Sequence, residues 1–235
     1  MSVPRGERLI VALDVPTAAG ARALVERLGD AARFYKVGLE LFSARGAVEL
    51  VEWLVGRACR VFADLKLYDI PETVRRATAN VAASGASFVS VHAERAVMEA
   101  AVAAAGERLR VLAVTVLTSV DAREIADSGH GTTLQARVLE RARAALACGC
   151  AGVIASAREA ALLKSEFGAR LLVVTPGIRP AGARGADDQR RTMDAEQALR
   201  AGADYLVVGR PIRDAPDPRA AALALQQAIA RVHPA

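Results

Sequence analysis

Eight short runs of apolar and β-branched residues recur along the chain, at 9–13, 33–37, 60–66, 87–91, 110–117, 152–155, 171–175 and 204–208. Between them lie alanine-rich stretches with helical spacing, such as 17–29 and 134–148. Apolar runs of this length read as strands covered on both faces, and their alternation with helices implies parallel strands joined by right-handed crossovers. Eight such units in 235 residues fit one closed (β/α)8 TIM barrel, a single domain spanning 1–235. An open doubly wound sheet would need fewer strands or a second domain, and no Gly-x-Gly-x-x-Gly follows the first run. One long irregular stretch, GIRPAGARGADDQRR at 177–191, has the length of a lid or binding loop.

Polar residues interrupt the apolar pattern at one end of these runs. In a barrel of parallel strands the active site lies at the C-terminal strand ends, and the polar set there is dense. It comprises Asp14, Lys36, Asp64, Lys66, His92, Thr118, Ser119, Ser156, the stretch Thr175 to Gly177, and Gly209-Arg210. A charge on a doubly covered strand is costly unless it is paired or functional, so Asp14, Lys36, Asp64 and Lys66 mark a site. Asp64 and Lys66 stand two residues apart, a spacing that points both to the same side of a strand. Asp69 follows in a turn closed by Ile70-Pro71, with Pro71 fit for the first turn of the next helix.

Composition narrows the chemistry. An apolar fraction of 53% supports a sizeable core. Charged residues or glycines break every apolar stretch well short of the ~20 residues that span a bilayer, and the first apolar run ends at Asp14 without a cleavage site. A cytoplasmic protein with no membrane association is expected. Cys59, Cys148 and Cys150 form no Cys-x-x-Cys pair, which argues against a disulfide framework or a zinc site. The net charge of +5 is spread over scattered arginines, and aromatics make up only 4%, too few for base stacking. An anionic small ligand fits better than nucleic acid.

Of 31 basic residues only Lys36, Lys66 and Lys164 are lysines. In an arginine-rich chain a lysine marks a place suited to a compact ammonium that can give up a proton. Lys36 and Lys66 fall on the strands, whereas Lys164 falls on a helix face expected to be exposed. His92 reads as a hydrogen-bonded structural histidine or a rim residue, and His130 and His233 read as solvated.

The segment FADLKLYDIPETV at 62–74 resembles the signature of the orotidine 5'-phosphate decarboxylase family, Asp-x-Lys-x-x-Asp followed by Ile-Pro. The resemblance continues, in order, through VALDV at 11–15, FYKVGLELF at 34–42, TVLTS at 115–119, VTPGIRP at 174–180, DDQRR at 187–191 and VVGRPI at 207–212. The LTS and GIRP elements are closest to its bacterial branch. The resemblance implies decarboxylation of orotidine 5'-phosphate to UMP in de novo pyrimidine biosynthesis, with no cofactor and no metal. It implies a catalytic array of Lys36, Asp64, Lys66 and Asp69, with Lys66 as proton donor to C6 of the pyrimidine.

Further roles follow from the same resemblance. Asp14 and Lys36 hold the ribose hydroxyls, and Thr118 meets the pyrimidine edge. Gln189 and Arg210, helped by the Gly209 amide, grip the 5'-phosphate, and Pro176 and Arg179 complete the binding set. Asp69 and Thr73 reach the site of a neighbouring subunit, so a homodimer with shared active sites is implied. The competing reading is a magnesium-dependent sugar-phosphate decarboxylase or aldolase of the same barrel superfamily, which shares the Asp-x-Lys-x-x-Asp element.

Overall fold

The computed structural model describes residues 3–120, 133–179 and 192–233. Its strands are β1 (Leu9–Ala12), β2 (Phe34–Gly38), β3 (Arg60–Leu67), β4 (Phe88–His92), β5 (Arg110–Val114), β6 (Gly152–Ile154), β7 (Leu172–Thr175) and β8 (Tyr205–Val208). All pair in parallel and close into a barrel, with Leu9, Ile10 and Val11 of β1 in register with Leu206, Val207 and Val208 of β8. The fifth strand is shorter than the apolar run suggests. Beyond Val114 side chains join the backbone pairing: Arg141 donates to the Thr115 carbonyl at 2.6 Å, and the Ile154 carbonyl accepts from both the Thr115 amide at 3.2 Å and the Thr115 hydroxyl at 3.0 Å.

The outer layer contains helices Ala18–Leu28, Ala47–Gly56, Pro71–Ala83, Arg95–Ala105, Leu134–Ala147, Ala157–Phe167, Ala195–Arg200 and Pro218–Val232, with short turns of helix at Leu39–Phe42 and Arg210–Arg213. Their starts follow local chemistry. The side chains of Thr17, Thr133, Ser156, Asp194 and Asp217 each accept a hydrogen bond from an otherwise unpaired amide of the first turn. Pro71 occupies the first turn of its helix, where its missing N–H costs nothing. No helix among the described residues is long and apolar enough to cross a membrane.

Strand alternation divides the apolar residues into two cores. Val11, Val37, Val61 and Val89 face the helices and pack with Leu24, Leu28, Leu50 and Leu54. Ile10, Phe34, Phe62, Phe88, Leu112, Val174 and Tyr205 fill the barrel. The rings form a contiguous plug, with centroids 5.2 Å apart for Phe34–Phe88 and Phe88–Tyr205, and 6.1 Å for Phe62–Phe88. The Arg60 guanidinium covers its lower side, 4.4 Å from the Phe34 ring, and is held by Glu7. Everything above this plug opens toward the C-terminal strand ends.

Two expectations change. Lys164 is not a solvated surface lysine, because its ammonium donates to Asp204 at 2.6 Å and to the Leu171 carbonyl at 3.0 Å, fastening its helix to the start of β7 and β8. His233 is half-buried rather than solvated. The three cysteines are free, with Cys59 and Cys150 buried and Cys148 half-buried.

Candidate active site

The inward columns of β2, β3 and β4 each carry an aromatic residue below and a polar one above: Phe34 then Lys36, Phe62 then Asp64, Phe88 then Ser90. The charged layer therefore rests on the aromatic plug. The rings beneath it are buried and apolar, and Coulomb interactions in such surroundings are stronger than at a surface. Above it lies a cavity of about 550 Å³ whose walls include Asp14, Lys36, Asp64, Lys66, Thr118, Pro176, Arg179, Gly209 and Arg210. A second depression of about 450 Å³, near Arg33 and Arg57, lies away from these charges.

Asp64 organises the layer. Its Oδ1 accepts from the Lys66 ammonium at 2.9 Å and from the Ser90 hydroxyl at 2.8 Å, while its Oδ2 faces the Lys36 ammonium at 3.6 Å. Lys36 in turn donates to Asp14 Oδ1 at 2.7 Å. The result is a continuous row Asp14–Lys36–Asp64–Lys66 across the barrel mouth. Burial raises the Asp64 pKa, but the Lys36 and Lys66 charges and the hydrogen bonds from Lys66 and Ser90 outweigh it and hold the carboxyl below its ordinary value. Asp64 is thus an anion at neutral pH.

Gly38 makes room for this row. It follows Lys36 in the same inward column and is in register with Asp64. A Cβ there would stand 2.9 Å from Lys36 Nζ and 3.1 Å from Asp14 Oδ1, so the missing side chain is the space the ammonium occupies.

On β3 the backbone is irregular where the chemistry is. Ala63 pairs with Val89 and Leu67 with Val91, so residues 64–66 stand opposite Ser90 alone. Within this bulge Lys66 has a φ of 50°, a left-handed conformation that costs a non-glycine residue on the order of 1–3 kcal/mol. Such strain is retained only where neighbouring contacts enforce it.

The other expected residues fall into three groups. Thr118, Pro176, Arg179, Gly209 and Arg210 line the cavity. Asp69 and Thr73 are exposed and do not line it, the Asp69 carboxylate instead accepting from the Ile70 amide at 2.7 Å. Gln189 and His130 lie outside the described residues, as does most of the 177–191 stretch. Its described flanks meet, with Arg179 N–H donating to the Met193 carbonyl at 3.0 Å. His92 ends β4 beside Tyr68, ring centroids 5.2 Å apart. Burial, and then the Arg141 and Lys66 charges, push its pKa down and leave it neutral near pH 7.

Sequence reasoning missed Ser90, Glu40 and Arg213. Ser90 could have been found as a hydroxyl at an inward position of an otherwise apolar strand. Glu40 and Arg213 line the cavity, and Arg213 donates to the Asp14 carbonyl at 2.6 Å from one turn beyond Arg210. Among the described residues no three His, Cys, Asp or Glu side chains group to hold a metal ion. Two anions, two ammonium groups and three arginines over an apolar floor are suited to binding an anionic substrate and steadying negative charge that develops on it.

Comparison with known proteins agrees with this chemistry. Residues 7–225 match the model of the orotidine 5'-phosphate decarboxylase / HUMPS family. The chain is 52% identical over 227 residues to the orotidine 5'-phosphate decarboxylase of Methylococcus capsulatus, covering 97% of this chain and 93% of that one. It is 50% identical over 231 residues to the enzyme of that name from Rhodopseudomonas palustris, covering 98% and 97%. Among solved structures, orotidine 5'-phosphate decarboxylase from Lactobacillus acidophilus superposes with a TM-score of 0.83 at 33% identity, covering 95% of this chain and 99% of that one.

Proposed function

Because this chain belongs to the orotidine 5'-phosphate decarboxylase / HUMPS family, we propose that it converts orotidine 5'-phosphate to UMP and carbon dioxide without a cofactor. The observation that carries this reading is the Asp14–Lys36–Asp64–Lys66 row, with Lys66 2.9 Å from Asp64 on the floor of an arginine-lined cavity. Identity near 50% over almost the whole length to proteins of that name favours it over the sugar-phosphate branch.

The reaction breaks the bond between C6 of the pyrimidine and its carboxylate, and the electron pair stays on C6 in an orbital the ring cannot delocalise. In this reading the Lys66 ammonium faces C6, stabilises the developing carbanion and then supplies its proton. Asp64 pairs with the ammonium at 2.9 Å and holds it in place until transfer. Asp14 and Lys36 take the ribose hydroxyls, and Thr118 meets the pyrimidine edge. Arg210, the Gly209 amide and Gln189 take the phosphate, whose binding energy helps desolvate and orient the ring.

Asp69 completes the array from a second subunit. Support comes from its position: it is exposed, absent from its own chain's cavity, and flanked by Tyr68 and Ile70, each 67% exposed. Apolar side chains so open on both sides of a charged residue suit a surface covered by a second copy.

Purified protein mixed with orotidine 5'-phosphate should consume its ultraviolet absorbance at an enzymatic rate, with and without EDTA. Absence of turnover sinks the reading, and turnover abolished by EDTA and restored by magnesium overturns its cofactor-free part.

A further inference from the structure

We propose that Ser90 is a positioning residue for the reaction, its one hydroxyl tying the backbone of Lys66 to the carboxylate of Asp64. The inference rests on the decarboxylase reading above. Ser90 is fully buried and does not line the cavity, so its route to the reaction runs through Asp64 and Lys66. Its oxygen accepts from the Lys66 amide at 2.9 Å, and its proton goes to Asp64 Oδ1 at 2.8 Å.

The direction of both bonds is set by chemistry. An amide only donates and an ionised carboxylate only accepts, so the hydroxyl has a single arrangement that satisfies both. The bulge explains why a side chain is needed. With residues 64–66 facing Ser90 alone, the Lys66 N–H turns to the Ser90 side chain. A buried amide left without a partner is costly. Ser90 therefore supports the left-handed backbone of Lys66 and, through the same oxygen, locates the carboxylate that receives the Lys66 ammonium. The lysine is held at both ends, Nζ by Asp64 and N–H by Ser90, and Asp64 and Ser90 are bonded to each other. That triangle limits how far the ammonium can stray from its place over the cavity floor, and displacements of about 1 Å at a reacting group are enough to lower turnover severely.

The test compares wild type with Ser90→Ala, Ser90→Thr and Ser90→Cys. In Ser90→Ala, kcat should fall about 10- to 100-fold, the loss expected for one hydrogen bond to a charged group that orients a reacting one. KM for orotidine 5'-phosphate and the calorimetric Kd for UMP should stay within about threefold, since the phosphate and ribose contacts are untouched. Ser90→Thr keeps the hydroxyl and should recover most of kcat. Hydrogen exchange at the Lys66 amide should quicken in Ser90→Ala and remain slow in Ser90→Thr. If Ser90→Ala fails to fold, Ser90→Cys carries the same comparison, with a weak donor and acceptor in the same position.

A folded Ser90→Ala with normal kcat overturns the proposal. So does a loss of kcat and UMP affinity together that Ser90→Thr does not repair, which is the mark of general packing damage. Wild-type protein without turnover fails the decarboxylase reading itself, and the role of Ser90 falls with it.

Discussion

Lys66 reaches Asp64 Oδ1 across 2.9 Å from a backbone with a φ of 50°. A strained residue pointing its ammonium at a buried carboxylate is maintained for its side chain. Lys66→Ala should therefore lower kcat by at least about 10³-fold, in line with loss of a group that both stabilises charge and donates a proton. UMP affinity, measured by calorimetry, should change little. Arg143→Ala, at an exposed pair with Glu166 on an outer helix, is the control and should leave turnover unchanged.

Gly38→Ala separates activity from stability. The added methyl meets the flexible tip of Lys36, which can move aside, and the Gly38 φ of –83° suits alanine. Thermal unfolding should shift by only about 1–3 kcal/mol, since Asp64 keeps Lys66 and Ser90 as partners when Lys36 moves. Turnover should drop about tenfold or more, because the ammonium can no longer lie between Asp14 and Asp64. Equal losses in stability and activity would mean that the glycine serves packing alone.

The depressed Asp64 pKa makes stability depend on acid. Because the folded value lies below the unfolded one, the contribution of Asp64 is complete above the unfolded pKa, near about 4, and is lost as pH falls through the folded value. Asp64→Asn leaves Lys36 and Lys66 without their shared counter-charge and should cost about 3 kcal/mol or more at neutral pH. In urea unfolding the deficit should be constant above about pH 4 and shrink only below it, as the wild-type carboxyl protonates. A deficit independent of pH would show that the ionised form of Asp64 contributes nothing to stability.

Lys164→Ala should destabilise without touching catalysis. The lysine makes three hydrogen bonds, to Gly168 O, Leu171 O and Asp204, at the opposite side of the strand layer from the cavity. Its removal leaves a half-buried carboxylate with fewer partners, at a cost of about 1–3 kcal/mol. Differential scanning calorimetry should show the lower Tm, and kcat and KM measured below the variant's transition should match wild type. A changed KM would place Lys164 in the binding machinery.

Mixing two inactive variants tests the shared site. Lys66→Ala and Asp69→Ala homodimers should both be nearly inactive. In a hybrid, the chain that keeps Lys66 receives an intact Asp69 from its partner, giving one complete site. With random exchange about half the dimers are hybrids with one good site of two, so about a quarter of wild-type activity should return. Subunit exchange without recovered activity would confine Asp69 to its own chain.

Much of this molecule was legible before folding was considered. Strand and helix positions follow from local periodicity, which one chain segment carries by itself. The polar residues at the ends of eight apolar runs marked the cavity rim, since burying a charge on a covered strand is costly wherever the strand lies. Even the pairing of Asp64 with Lys66 follows from a two-residue spacing. Three features needed the closed barrel. The aromatic plug beneath the charges exists only when Phe34, Phe62, Phe88 and Tyr205, far apart in sequence, converge. The empty place of Gly38 has meaning only once Lys36 rises into it. Ser90 acquires its role only because β3 bulges against β4 and turns a backbone amide toward it. Local sequence encodes which residues prefer a strand and which face they take, whereas register shifts and contacts across the barrel are decided by how all eight strands pack at once.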